Sequence, residues 1–404
     1  VSIAAVDVER LTSVTPRPAM SDVVFVMGFT AWDAALRRGL SFSEDRLADA
    51  LARYEGIRRL IVADPYRSRP LKLARDFITG DPQPLPGGEG RWRHQPLRLR
   101  RLDPTRRSTM LRSVKRYERA LQSAAERHGL VSPALISCNP MLAGFGELSW
   151  CSSVTYYGWD DFAKVPIKQP WWPLYLEAYE RLRVTGRRVV TISAAALERI
   201  APTGPAAVVP NAVDPKEWRE PGPPPSWFAA LPHPRLLYVG SLDRRIDVAQ
   251  VKATARAFPE GSVTLVGPML DRPHFRSLRD EPNILIKPYA ARPDVAAIMR
   301  TADACLIPHV RSPLTEAMSP LKLYEYAAAG RPIATVDLGP ILSAGIPVCV
   351  AAAGGDLVPA VREALARGPL AEPERQDVIN RHGWAVRFEH LLDIALSPDD
   401  QFKP

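Results

Sequence analysis

SPLKLYEYAAAGRPIATVD, residues 319–337, reads as a turn, a helix and a strand in immediate succession. Ser319 suits an N-cap and Pro320 the first helical position, while Gly330 followed by Arg331-Pro332 ends the helix before the apolar run. Leu321, Tyr324 and Ala328 fall at i, i+3 and i+7, the stripe of a buried face, whereas Lys322, Glu325 and Ala329 point elsewhere together and are expected to be available. A cation in the first turn sits beside the positive end of the helix dipole, which costs roughly 0.3–1 kcal/mol unless something negative lies near. Two readings follow. Either Lys322 pairs with Glu325 three residues on, as on an ordinary solvated helix, or a bound anion explains it.

The same alternation of strands and helices extends in both directions. Strand-like runs at 22–28, 58–64, 133–139, 152–158 and 187–193 form one series, and runs at 234–241, 261–267, 283–289, 303–309 and 331–337 form a second. Helical stretches between them predict an α/β chain of two parallel, doubly wound sheets, with ligand held outside the carboxyl ends of the strands. In the second series those ends carry Gly240, Gly267, Lys287 and His309. The expected organisation is a first Rossmann-like domain over 1–212, a proline-rich linker over 213–233 ending in EPGPPPSW, a second Rossmann-like domain over 234–382, and a C-terminal helix and tail over 383–404 that returns to the first domain.

With 404 residues, 46% of them hydrophobic, the chain has enough apolar material for two cores. No run approaches the ~18 apolar residues of a membrane span, and VSIAAVDVERLTS has neither a basic start nor an apolar signal core, so a cytoplasmic protein is expected. Cys138, Cys151, Cys305 and Cys349 lack metal-type spacing and read as buried free thiols. The net charge of +9 comes from one segment: Arg91 to Arg116 holds ten basic residues against Asp103 alone. PLRLRRL, residues 96–102, alternates like a strand leading into a helix near Ser108. Such a patch suits an anionic membrane surface at the inner face, or an acidic acceptor. Only Trp92 accompanies it, so the interleaved aromatics of a nucleic-acid platform are missing and no nucleic acid is expected. G-x-G-x-x-G, G-x-x-x-x-G-K-[ST] and H-E-x-x-H patterns are all absent from the sequence, which argues against a dehydrogenase, a P-loop nucleotidase or a zincin.

Four landmarks resemble glycosyltransferases of the two-Rossmann-domain GT-B architecture, specifically the retaining family-4 type (glycosyl transferases group 1). They are VVPNAVD at 208–214, LLYVGSLDRRID at 236–247, DACLIPH at 303–309 and the 319–337 stretch itself. The resemblance implies a nucleoside diphosphate sugar as donor substrate, no separate cofactor and no metal, in keeping with the missing D-x-D motif. It implies that Glu325 binds the ribose hydroxyls and that the helix start at Ser319 and Leu321 cradles the diphosphate, whose charge Lys322 neutralises. Gly240, Arg244 and Arg245 would form the phosphate loop, Gly28 the glycine loop of the first domain, and His309 and Arg311 the sugar side. Tyr289 would neighbour the base. Asp160 or Asp161 either meets an acceptor hydroxyl or caps the next turn. Lys322, Arg245 and Asp160 are the expected catalytic set. The sequence departs from the family pattern at Ala317, with Glu316 one place off, and at Ser241 and Ile246. Those departures keep two other readings open beside sugar transfer to a lipid-linked, glycan or small-molecule hydroxyl: a nucleotide-sugar epimerase, or a noncatalytic binding protein of the same fold.

Overall fold

The computed structural model describes residues 20–68, 84–100, 102–220, 222–287 and 290–397. Nine strands precede the proline cluster among these residues: β1 Ser21–Val26, β2 Ile57–Ala63, β3 Arg67–Ser68, β4 Arg91–His94, β5 Leu97–Arg98, β6 Ala134–Ser137, β7 Ser153–Gly158, β8 Arg188–Thr191 and β9 Ala206–Val208. Seven of them form one parallel sheet in the order β4-β2-β1-β6-β7-β8-β9, and β3 pairs with β5 apart from it. Six more follow: β10 Arg235–Val239, β11 Ser262–Val266, β12 Ile284–Lys287, β13 Ala304–Ile307, β14 Ile333–Thr335 and β15 Cys349–Val350. Their parallel sheet runs β12-β11-β10-β13-β14-β15.

Each sheet is buried on both faces, as parallel sheets covered by crossover helices must be. Val24 and Val26 of β1 join a core with Met110, Val114 and Leu121 of the 107–127 helix, while Val23 and Phe25 join another with Leu47 and Leu51 of the 43–53 helix. In the second sheet Leu237 faces Tyr326 and Ile298, and Leu236 and Tyr238 face Val251 and Val361. The period-2 alternation of side chains along one strand thus feeds two cores.

Three parts of the architecture differ from the sequence expectation. The strand expected over 96–102 is cut to the two residues of β5, and a second strand, β4, precedes it, where the Trp92 ring stacks on His128 with 4.4 Å between centroids. The proline-rich segment is not a bare connector: Trp218 and Phe228 are fully buried in the second core, and each burial contributes roughly 1.5–3 kcal/mol. Arg375, also buried, fastens the same segment by donating to the carbonyls of Trp218 and Arg219 at 2.6 and 3.2 Å. Third, the 321–328 helix is enclosed beyond its first two residues: Leu323, Tyr326 and Ala329 are as inaccessible as Ala328, and only Leu321 and Lys322 are half-buried.

The chain crosses between the domains twice, and the crossings touch. Val213 N–H donates to His382 O at 2.9 Å and Trp384 N–H donates back to Val213 O at 3.0 Å. Beyond this clamp the 384–396 helix lies on the first sheet, where Phe388 and Leu391 share a core with Val23 and Phe25. Arg188 of β8, buried, donates to the carbonyls of Ile394, Ala395 and Ser397 at 2.9, 2.8 and 2.6 Å, closing the end of that helix.

Candidate active site

The carboxyl ends of the second sheet gather a cluster of cationic groups. β10 ends at Gly240, whose φ of +144° suits glycine; a Cβ there would lie 3.1 Å from Lys322 Cε and 3.3 Å from its Nζ. The loop after Gly240 is held against the end of β13, since Asp247 N–H donates to Pro308 O at 2.7 Å and Val310 N–H to Arg245 O at 2.8 Å. That pairing brings Arg245 and His309 together. Lys322 Nζ lies 3.4 Å from His309 Nε2 and 5.0 Å above the Tyr238 ring. Burial, and then the nearby Arg245 guanidinium, push Lys322 down to about 7. Burial with Lys322 and Arg245 also drives His309 well below its ordinary value, so its imidazole is neutral. Asp243 pairs with Arg245 at 2.7 Å and answers part of this charge. A small volume with this much unspent positive potential is suited to a strong anion.

Glu325 does not pair with Lys322. It is buried, and its Oε1 lies 2.7 Å from Arg292, which also pairs with Glu217 at 2.7 Å. Glu217 meets Arg46, and Arg46 pairs with Asp214 at 3.1 Å. Alternating charges therefore run from the 43–53 helix of the first domain to the 321–328 helix of the second. No local spacing connects positions 46, 217, 292 and 325, so this ladder was not visible in the sequence; its only trace is the acid and base content of PKEW and RPD.

Ser319 is not the N-cap. Pro320 takes that place without a side-chain bond. The Ser319 hydroxyl accepts from Asn211 N–H at 3.2 Å, and its carbonyl accepts from Asn211 Nδ2 at 2.5 Å. Asn211 Oδ1 in turn accepts from Ser43 Oγ at 2.6 Å. The VVPNAVD motif thus stitches the helix start to the first domain, and Ser193 Oγ adds a bond to Ala317 O at 2.6 Å. Leu321 packs against the first-domain core rather than only its own.

Across the cleft, the Gly28 loop already holds an anion. Gly28, Phe29 and Thr30 N–H donate to the Glu44 carboxylate at 2.9, 3.2 and 3.1 Å. Glu44 is fully enclosed, and burial pushes it up to about 7 against the pull of those amides. Gly28 itself is required because a Cβ would collide with the Cys138 carbonyl. The expectation that Gly28 meets donor phosphate is corrected accordingly: its amide is occupied from inside the protein. Asp160 is half-buried and accepts the Asp161 N–H at 2.8 Å. Burial pushes it up to about 6 against the pull of the Asp161 N–H and, less, of the Arg245 guanidinium. Asp161 is committed to Arg199 at 2.6 Å and to the Ala163 N–H at 3.2 Å.

Other expected residues stand apart. Arg244 is exposed and turned to Asp271, 2.7 Å away. Arg311 is exposed and pairs with Glu316 at 2.6 Å. Tyr289 lies outside the described residues. The basic segment is not one surface patch: Arg91 donates inward to the carbonyls of Ala52 and Ile57 at 2.9 and 2.8 Å, and Arg93 bridges Asp33 and Asp64 at 2.7 and 2.6 Å. Among the described residues no group of His, Cys, Asp and Glu could hold a metal ion, and no helix is long and apolar enough to cross a membrane.

Comparison with known proteins bears on the fold. A family model described as "Glycosyl transferase-like" matches residues 244–393. Sucrose-phosphate synthase from Thermosynechococcus elongatus superposes with a TM-score of 0.64 at 15% identity, covering 92% of this chain and 97% of that one. Anabaena Alr3699/HepE, solved in complex with UDP-glucose, gives 0.59 at 14% identity, covering 92% and 98%. The fold is GT-B. In sequence, the chain is 29% identical over 103 residues to a putative teichuronic acid biosynthesis glycosyltransferase, TuaH, of Bacillus subtilis; the alignment spans 25% of this chain and 26% of that relative. The cluster of Gly240, Arg245, His309 and Lys322 lies at the carboxyl ends of β10 and β13 in the second of this chain's two domains.

Proposed function

We propose that the chain is a glycosyltransferase that moves a sugar from a nucleoside diphosphate sugar to an acceptor hydroxyl, with retention and without a metal. The carrying observation is the enclosed cation cluster at the carboxyl ends of β10 and β13, with Lys322 Nζ beside His309 Nε2 and over Gly240. When the bond between the anomeric carbon and the diphosphate oxygen breaks, the electron pair leaves with the diphosphate. Preorganised cations stabilise that developing charge most where water is excluded. Lys322 and Arg245 serve this role, with the unbonded amides at the start of the 321–328 helix. Glu325, oriented by Arg292, accepts from the ribose hydroxyls. The acceptor oxygen bonds the anomeric carbon from the face the diphosphate leaves, its proton passing to a diphosphate oxygen, so no side chain must act as base. Asp160 receives the acceptor hydroxyl.

UDP-glucose, the ligand of Alr3699/HepE, is the first donor to test. The assay is UDP release from UDP-sugars with and without a panel of hydroxyl acceptors. Release that rises with an acceptor and yields a glycoside of unchanged anomeric configuration is expected. Free epimerised sugar, or no turnover with any nucleotide sugar, would contradict the proposal.

A further inference from the structure

A second cationic region stands away from this cluster. A groove of about 640 Å³ lies beyond the carboxyl ends of β2 and β4, on the ligand edge of the first sheet, lined by Tyr66, Leu97, Leu99, Arg100, Arg112 and Arg116. Its volume falls within the roughly 300–1,000 Å³ of small-molecule sites. One wall is the face of the 107–127 helix formed by Thr109, Arg112, Ser113 and Arg116, which the helical spacing of three and four residues puts side by side. Arg98, also on the groove, is committed to Asp103. Arg100, Arg112 and Arg116 have no ion-pair partner among the described residues; Arg112 reaches only Thr109 Oγ1, at 3.4 Å.

Two independent features here work against the stability of the bare protein. Arg112 and Arg116, one turn apart, repel each other, and the helix begins after Arg106 with no side-chain cap and no acidic residue in its first turn. On the same groove Leu99 is 81% exposed and Leu97 38% exposed, so hydrocarbon is offered to water beside concentrated positive charge. One ligand chemistry answers both: a phosphate attached to an apolar chain. The phosphate oxygens take the guanidinium forks and the Thr109 and Ser113 hydroxyls, and the chain lies along Leu97 and Leu99.

We propose that this groove binds the phosphate ester of an amphiphile. The test is calorimetry on the full chain with three probes: octyl phosphate below its micelle concentration, inorganic phosphate, and octyl glucoside. Octyl phosphate is expected to bind at least about tenfold more tightly than either of the others. The double variant Arg112→Gln/Arg116→Gln should weaken it about tenfold or more, and Leu99→Ser should bring it toward inorganic phosphate. Nucleoside diphosphate affinity should be the same in all these proteins, and circular dichroism should show an intact fold. Equal binding of inorganic and octyl phosphate, or a double variant that binds octyl phosphate like the parent, overturns the inference. Octyl phosphate binding in a protein that ignores every nucleoside diphosphate would defeat the donor-site reading and leave this one standing.

Discussion

At the scale of single residues, the sequence singled out Lys322 by its misplacement at a helix start, and the structure explains what a lone helix could not: the ammonium is packed beside His309 and over Gly240, while Glu325 is turned to Arg292. The consequence is measurable through protons. With its value near 7 in the free protein, Lys322 is mostly neutral at pH 8. A bound diphosphate favours the charged form and raises that value, so binding at pH 8 should take up close to one proton. Affinity for a nucleoside diphosphate should accordingly fall as pH rises above 7, by up to about tenfold per unit. Calorimetry at pH 8 in buffers of different ionisation enthalpy counts the proton. A Lys322→Met variant should take up none and lose the pH dependence, whereas an unchanged proton count in that variant would assign the uptake elsewhere. Arg244 and Arg245 show the limit of reading residues from sequence: adjacent and alike, they part because the pairing of Val310 with the Arg245 carbonyl turns one into the cleft and leaves the other with Asp271.

At the scale of elements, strands and helices were legible because burial repeats with their own periods, but short pieces were not. β9 has three residues and β15 two, too few to show alternation, and β4 is an edge strand of partly buried Arg-Trp-Arg-His whose arginines are satisfied by carbonyls and carboxylates from other elements. The Gly28 loop was read as the glycine loop near donor phosphate, yet its amides bind Glu44, sixteen residues on and in the first turn of the 43–53 helix. That pairing has a definite pH signature. Glu44 is raised from 4.5 to about 7 in the folded chain, so between those values the folded state binds more protons than the unfolded one. Stability should therefore fall as pH rises from about 4.5 to 7, by up to about 1.4 kcal/mol per unit from this group. Glu44→Gln should flatten that part of the profile and, by leaving amides poorly paired, lower stability by about 1–3 kcal/mol. Urea unfolding at intervals across this range tests both; a variant with the parent's slope would show that Glu44 is ionised throughout.

At the scale of the whole molecule, two sheets and their order along the chain could be read from the alternation alone, whereas the joint between them could not. The return of the 384–396 helix to the first sheet was expected, but the side-chain contacts of the joint link residues far apart in sequence: Asn211 on Ser319, Ser193 on Ala317, and the Arg46–Glu217–Arg292–Glu325 ladder. These contacts fix the helix that carries Lys322 and Glu325 against the first domain. The role proposed for the cation cluster is to hold a diphosphate. Calorimetric titration of nucleoside di- and monophosphates into the parent and into Lys322→Ala, at pH 7, tests that claim most directly. The prediction is that at least one nucleoside diphosphate binds the parent and that Lys322→Ala weakens it about tenfold or more, from the roughly 1.5–3 kcal/mol of a charge-assisted bond, while the matching monophosphate changes little. A parent that binds no nucleoside diphosphate, or a variant that binds it as the parent does, would contradict the account.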